Sequence, residues 1–326
     1  MIFIDDSLAN IKDAKKQHCN VVSNYLKVYQ INKKNGFIID FLKSNLNDLV
    51  TSKPDKLFQL NKKLYQNKEG LSFETYKKFC CQQERKLLKQ VTIDKYKAFN
   101  KEVLDIINYE NWFITSQKQY DYQLAEGLNR RTCTYCNRIY TSTMKTQKNK
   151  KLMRPQFDHW YPKSKFPLLA LSFYNLIPSC SICNSSAKSD VLFDLETHLH
   201  PYVDKDSLKR FSFSYEYSKS LDQYNIKLYP TKQDSKDKKA VRTFDDFNLS
   251  IMYNANVPEL KDLIQTKKAY TKSYIDNMMS AYPDAHLSYK ETYRLAFGTE
   301  YNEEDFHKRP FSKFKKDILQ QLKVIK

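Results

Sequence analysis

Two Cys-x-x-Cys pairs, Cys133 with Cys136 and Cys180 with Cys183, constrain this chain more than any other feature. Two such pairs can close one tetrahedral zinc site, which takes four thiolates. Asp158 and His159 stand side by side between the pairs, Asn175 lies just ahead of the second pair, and Asn184 follows Cys183 directly. Oxygen and nitrogen donors of this kind suit a second metal, one that does hydrolytic chemistry. A cytosolic Cys-x-x-Cys taken singly is also compatible with a redox pair or two buried thiols. Two pairs flanking an Asp-His favour the structural zinc.

The stretch from Arg131 to Lys188 reads RTCTYCNRIY, then a basic loop, then FDHWYPKSKFPLLALSFYNLIPSCSICNSSAK. It resembles the HNH endonucleases, in the branch whose ββα-metal core, treble-clef-like, is braced by four cysteines. The resemblance covers about sixty of the 326 residues and rests on the order of the Cys pairs, Asp-His, Asn-Leu-Ile-Pro and Cys-Asn-x-x-x-Lys. It implies a strand ending in Asp158-His159, a loop and second strand carrying Asn175, and a helix starting at the second Cys pair. His159 is then the general base, since a neutral imidazole is available near pH 7. The resemblance gives Asn175 the task of holding that ring. It makes Asp158 and Asn184 the oxygen ligands of one divalent ion, Mg²⁺ or Mn²⁺. Lys188, one turn beyond Asn184, is placed to meet a phosphate.

The charge balance agrees with a polyanionic substrate. The net charge is +18, and residues 131–190 hold ten Lys or Arg against two Asp. Lys148, Lys150 and Lys151 in the loop 145–151, with Lys163 after the Asp-His, are candidate phosphate contacts. A lysine-rich composition accounts for part of the excess, and the local concentration favours nucleic acid. Cys19, Cys80 and Cys81 form no disulfide pattern and read as reduced core residues. The N-terminal stretch lacks the features of a signal peptide, and no apolar run reaches membrane-span length, so a cytoplasmic protein without membrane contact is expected.

Along the chain, residues 1–128 read as a helical region, with Gly36, Gly70 and Gly127 at possible helix stops and Pro54 as a break. Helices are expected over 72–91 and 94–119. The core follows at 129–195, with a hairpin of 139–144 and 152–157 around the lysine loop. Trp160, Tyr161 and Phe166 are expected beneath the metal site. His198 and His200 could face one metal from a strand, but no third ligand lies near, which favours a structural role. Residues 196–326 read as an α+β region with two antiparallel strands at about 209–229. A polar connector spans 231–240, helices occupy 257–279 and 286–297, and an amphipathic basic tail starts at 312.

The expected class is therefore α+β: a mainly helical chain with an inserted ββα-metal nuclease core and a small hairpin after it. The expected function is metal-dependent hydrolysis of double-stranded DNA. Family analogy suggests the nuclease effector of a bacterial restriction or anti-phage system, beside an ATPase or sensor partner or a second copy of the chain. An RNase with the same core, or a zinc-stabilised nucleic-acid-binding module without catalysis, are the alternatives.

Overall fold

A computed structural model describes residues 1–188, 191–232, 234–269, 274–281 and 283–325. It is mixed helix and sheet, with three two-stranded antiparallel sheets among mostly helical segments. The first helix, Ala9–Tyr25, buries Ile11, Ala14, His18, Val22 and Tyr25, the stripe its three-to-four spacing requires. It continues into a wider π-type turn, Leu26–Ile31. Gly36, at φ 122°, precedes Phe37–Thr51, so this glycine opens a helix. Pro54 also begins a helix, Pro54–Asn67, at the first position, where its missing N–H costs nothing.

Two expected helices are broken. Phe73–Cys80, capped by Ser72, stops because Cys81 is extended, and the chain resumes in a turn at Gln82–Arg85. Gln90–Ile107 then starts earlier than expected and ends at Asn108, which takes the left-handed conformation that asparagine tolerates. The π-type turn Tyr109–Ile114 directs Tyr109 and Phe113 inward. Gly127 lies inside Tyr120–Leu128. A Cβ there would meet the Cβ of Ala14 at 2.8 Å, so the glycine lets this helix approach the first one.

The lysine hairpin is shorter than its sequence suggested. Strand β1, Met144–Lys145, pairs with β2, Lys151–Met153. Arg154 and Pro155 end the pairing, since proline brings no donor and the Arg154 guanidinium turns to the buried Asp121 at 2.6 Å. Strand β3, Gln156–His159, therefore pairs with β4, Leu176–Ser179, placing His159 opposite Leu176.

After the core, β5, Phe211–Ser218, and β6, Gln223–Pro230, form the expected hairpin. The polar stretch 231–240 is not simply a connector. A helix, Ser235–Asp246, begins within it because the Asp234 carboxylate accepts the Asp237 N–H at 2.8 Å as an N-cap. The basic tail forms Ser312–Gln321, whose Phe314, Ile318 and Leu319 are buried. Asp317 of this helix accepts the Phe213 N–H at 2.9 Å, which ties the tail to β5. Buried apolar residues from the N-terminal, central and C-terminal regions join in one packed cluster. No helix among the described residues is long and apolar enough to cross a membrane.

Candidate metal centre and catalytic site

The four predicted cysteines converge. Cys133, Cys136, Cys180 and Cys183 are buried, and their sulfurs all lie within 4.8 Å of one another. Cys136 and Cys180 sulfurs are 4.0 Å apart. A tetrahedral zinc with bonds of about 2.3 Å needs sulfurs about 3.8 Å apart, so the cluster fits the ion with small adjustment. Local backbone geometry supports this. The Asn137 N–H donates to the Cys133 carbonyl, and Asn137 takes φ 51°, which closes a tight knuckle. The Arg138 N–H points at the Cys136 sulfur at 3.5 Å and the Cys183 N–H at the Cys180 sulfur at 3.4 Å, donors that favour thiolates. Hydrogen bonding from neighbouring thiols lowers the Cys180 and Cys136 affinities for protons, while burial raises that of Cys133. The same hydrogen bonds raise the affinity of Cys183 for its proton, so two of the four thiols hold protons that a metal would displace.

Asp158 and His159 sit at the end of β3, buried, on opposite faces of the strand as successive residues must. The His159 Nε2 is 3.0 Å from the Ala170 carbonyl. A carbonyl only accepts, so Nε2 carries the proton and Nδ1 keeps the lone pair. Tyr109 from the N-terminal region packs edge-on against the ring, centroids 4.6 Å apart. Burial, and then the charge of Lys163, lower the His159 pKa to about 3, so the free protein holds a neutral imidazole.

Asn175 is bonded within the loop around that ring. Its amide donates to the Tyr161 and Leu169 carbonyls at 3.1 Å each, and its Oδ1 accepts the Tyr161 N–H at 2.7 Å. These bonds close the loop that presents the Ala170 carbonyl. The side-chain bonds of Asn175 thus go to the backbone of Tyr161 and Leu169, in the loop that follows His159.

Each oxygen of the Asp158 carboxylate accepts one hydrogen bond, one from the Tyr135 hydroxyl at 2.6 Å and the other from the Lys188 ammonium at 3.1 Å. Lys188 also donates to the His159 carbonyl at 2.6 Å and is buried. The expectation of a phosphate-facing Lys188 is therefore not what the structure displays: its charge is spent inside the fold, on Asp158. Asn184 lies on the short π-type segment Ile182–Lys188 and donates to Gln156 Oε1 at 2.8 Å. Gln156 and Asp158 are two apart on β3 and share a face, so Asn184 stands on the Asp158 side of the strand. As donors these two residues suit Mg²⁺ or Mn²⁺ in kind, and Lys188 is the cation already beside the carboxylate.

The other expected contacts divide. Lys148 and Lys150 are exposed at the tip of the hairpin. Lys151 is tied to the Ile114 carbonyl at 2.6 Å and Asp121 at 3.1 Å, and Lys163 pairs with Glu110. Trp160, Tyr161 and Phe166 are buried. His198 is satisfied by Asp246 at 2.7 Å and Thr197 at 2.9 Å, and His200 is enclosed beside Trp160. Among the described residues the four cysteines are the one group of three or more His, Cys, Asp or Glu side chains placed to hold a metal, and the His pair belongs to no such group. Cys19 and Cys80 are buried free thiols, and Cys81 is partly buried. Sequence reasoning missed Tyr135, Tyr109 and Gln156. Tyr135 lies inside the first Cys pair, but nothing in the spacing marked its hydroxyl for Asp158.

No family model matches the chain. No solved structure matches it. It is similar to protein ea31 of Escherichia phage lambda. The two are 30% identical over 122 residues, 35% of this chain and 41% of that protein. The chain thus spans less than half the length of this relative.

Proposed function

We propose that the protein is a metal-dependent endonuclease of the HNH type, with a structural zinc beside the catalytic residues. The observation that carries this reading is the single strand β3. It ends in Asp158 and His159, with the His159 Nε2–H spent on a carbonyl and the Nδ1 lone pair left for a water. Nδ1 takes the proton of the attacking water. Its basicity in the free protein is low, and an approaching phosphodiester anion raises it by favouring the imidazolium. A divalent ion held by Asp158 and Asn184 would supply positive charge to the leaving oxygen. Lys188 would have to share Asp158 with that ion, and it neutralises the buried carboxylate until the ion arrives.

The local positive charge supports a nucleic-acid substrate; DNA is preferred on family analogy, with RNA as the alternative, because a phosphate-gripping core reads little else. The reading extends to an effector of restriction or anti-phage defence acting with a protein partner. That rests on family analogy and on helical regions far larger than the cleavage site needs. Incubating the purified protein with supercoiled plasmid and with structured RNA, with and without Mg²⁺ or Mn²⁺, tests it. Ion-dependent nicking of plasmid supports the reading; cleavage of RNA alone moves the substrate to RNA; neither leaves a zinc-stabilised binding module.

A further inference from the structure

A second basic feature lies away from Asp158 and His159. A cleft of about 520 Å³ is bordered by Arg130, Arg131, Tyr140, Thr143, Lys308 and Arg309. A neighbouring cleft of about 270 Å³ shares Arg131, Lys308 and Arg309 with it and adds Arg294. Neither includes Asp158, His159 or Asn184 among its lining residues. Five cationic side chains thus face two adjoining clefts, against the carboxylates of Glu126 and Glu300. Glu126 is held by Lys145 at 3.0 Å, Glu300 by Arg309 at 3.2 Å, and Lys308 pairs with Asp305 at 2.7 Å, so Arg130, Arg131 and Arg294 are the cations these acids leave over.

Arg130 is the informative member. Its side chain is 6% exposed, and one Nη donates to the Phe3 carbonyl at 3.2 Å. Its Nε is buried with no hydrogen-bond partner. A guanidinium confined beside a cleft without a carboxylate of its own is costly, and an anion in that cleft would offset the cost. Burial lowers its pKa only to about 10, so it stays charged at neutral pH.

The clefts are also built rather than incidental. Arg131 and Tyr140 flank the zinc knuckle, where Thr132 bridges Tyr140 and the Thr141 N–H donates to the Arg131 carbonyl at 2.8 Å. The opposite wall is tied to the same knuckle. Thr132 Oγ1 donates to the His307 carbonyl at 3.1 Å, and the Asn137 amide donates to the Arg309 carbonyl at 3.2 Å. Past Thr143 the chain enters the lysine hairpin with exposed Lys148 and Lys150, and then β3 with Asp158. The Lys145–Glu126 pair sets the base of this hairpin at the cleft, and several cations on one surface suit a polyanion better than one isolated phosphate. Tyr140, 53% exposed on the rim, offers a ring on which a base can stack.

We infer that this paired cleft is a backbone-binding groove for a nucleic-acid strand, which anchors the substrate outside the cleavage site. The choice of a nucleic acid rests on the nuclease reading, while the anion-binding character stands on the cleft itself. The test compares wild type with Arg131→Glu/Lys308→Glu and with Arg131→Ala/Lys308→Ala. Binding of a fluorescent strand of about 20 nucleotides is followed by anisotropy across a salt series without added divalent ion. Zinc content and melting temperature serve as fold controls. The charge reversal should weaken binding at least about tenfold and reduce the log–log salt slope by about two, one for each lost phosphate contact. The alanine pair should fall between, and it decides the matter if the reversal fails to fold. Inorganic phosphate and adenosine monophosphate should compete only weakly. Folded variants with wild-type affinity and salt slope overturn the groove, as does tight binding of the mononucleotide without binding of the strand. A wild type that nicks plasmid while the variants bind normally removes the groove and keeps the nuclease. A wild type that binds through the groove yet never cleaves does the reverse.

Discussion

Replacing Lys188 by Met should destabilise the fold by about 3 kcal/mol. The Asp158 and Lys188 side chains are 4% and 1% exposed, and the ammonium bridges that carboxylate and the His159 carbonyl. Methionine roughly preserves the length and removes the charge, so the loss is electrostatic more than a cavity effect. Breaking one side of a buried pair costs about 3–5 kcal/mol, because the remaining charge stays desolvated and uncompensated. The Tyr135 hydroxyl still donates to Asp158 at 2.6 Å, which favours the lower end of that range. For a chain of 326 residues the entropy of unfolding scales to about 1.5 °C per kcal/mol, so the melting temperature should fall by about 4–5 °C. Asp158→Asn in the same background should recover part of the loss, since the amide carries no charge. Thermal melting followed by circular dichroism, with zinc content measured in parallel, gives both numbers. A Lys188→Met protein that holds its zinc and melts within a degree of wild type would show that the pair is not a buried, mutually dependent unit.

Three further outcomes follow from the geometry. Cys133→Ser/Cys180→Ser should lose about one zinc per chain by elemental analysis, together with the folding of the core, and a folded variant with unchanged metal would refute the assignment. Gly127→Ala should cost about 1–3 kcal/mol in a urea titration despite alanine's better helix propensity, because the new Cβ would meet the Ala14 Cβ at 2.8 Å; a stabilised variant contradicts this. Acidification should destabilise the protein, because His159 is lowered to about 3 and His18 and His307 to about 4, chiefly by burial. The unfolded chain binds protons at these sites from about pH 6.5 downward and the folded chain does not, so stability is lost as pH falls below that value, on the order of 1.4 kcal/mol per pH unit for each histidine. Urea midpoints equal at pH 7.5 and pH 5 would contradict it.

The parts of the site that sequence disclosed are those set by spacing. Cysteines three apart bring sulfurs together through local backbone geometry, and the resemblance implied the strand that ends in Asp158-His159. The 211–230 hairpin was legible for the same reason, since alternation places Phe211 and Phe213 inward. What was hidden depends on distant partners. Lys188, Lys163 and Lys151 read as a phosphate-facing set, yet each meets an acid that no local pattern assigns to it: Asp158, Glu110 and Asp121. Tyr109 reaches His159 from fifty residues upstream, through a turn that the helical periodicity did not reveal. The helix at Ser235–Asp246 was missed because its charged composition outweighed the Asp234 cap. The tail was ambiguous until its apolar face met β5 and Asn137 joined it to the knuckle through the Ser312 N–H at 3.1 Å.

The central claim is that His159 activates water for phosphodiester cleavage. Plasmid nicking in Mg²⁺ or Mn²⁺ by wild type and by His159→Ala, at matched zinc content and matched DNA binding, tests it most directly. The account predicts ion-dependent nicking by wild type and a loss of at least about 10²-fold in the variant, the usual contribution of a positioned general base. Equal rates in the two proteins would contradict it.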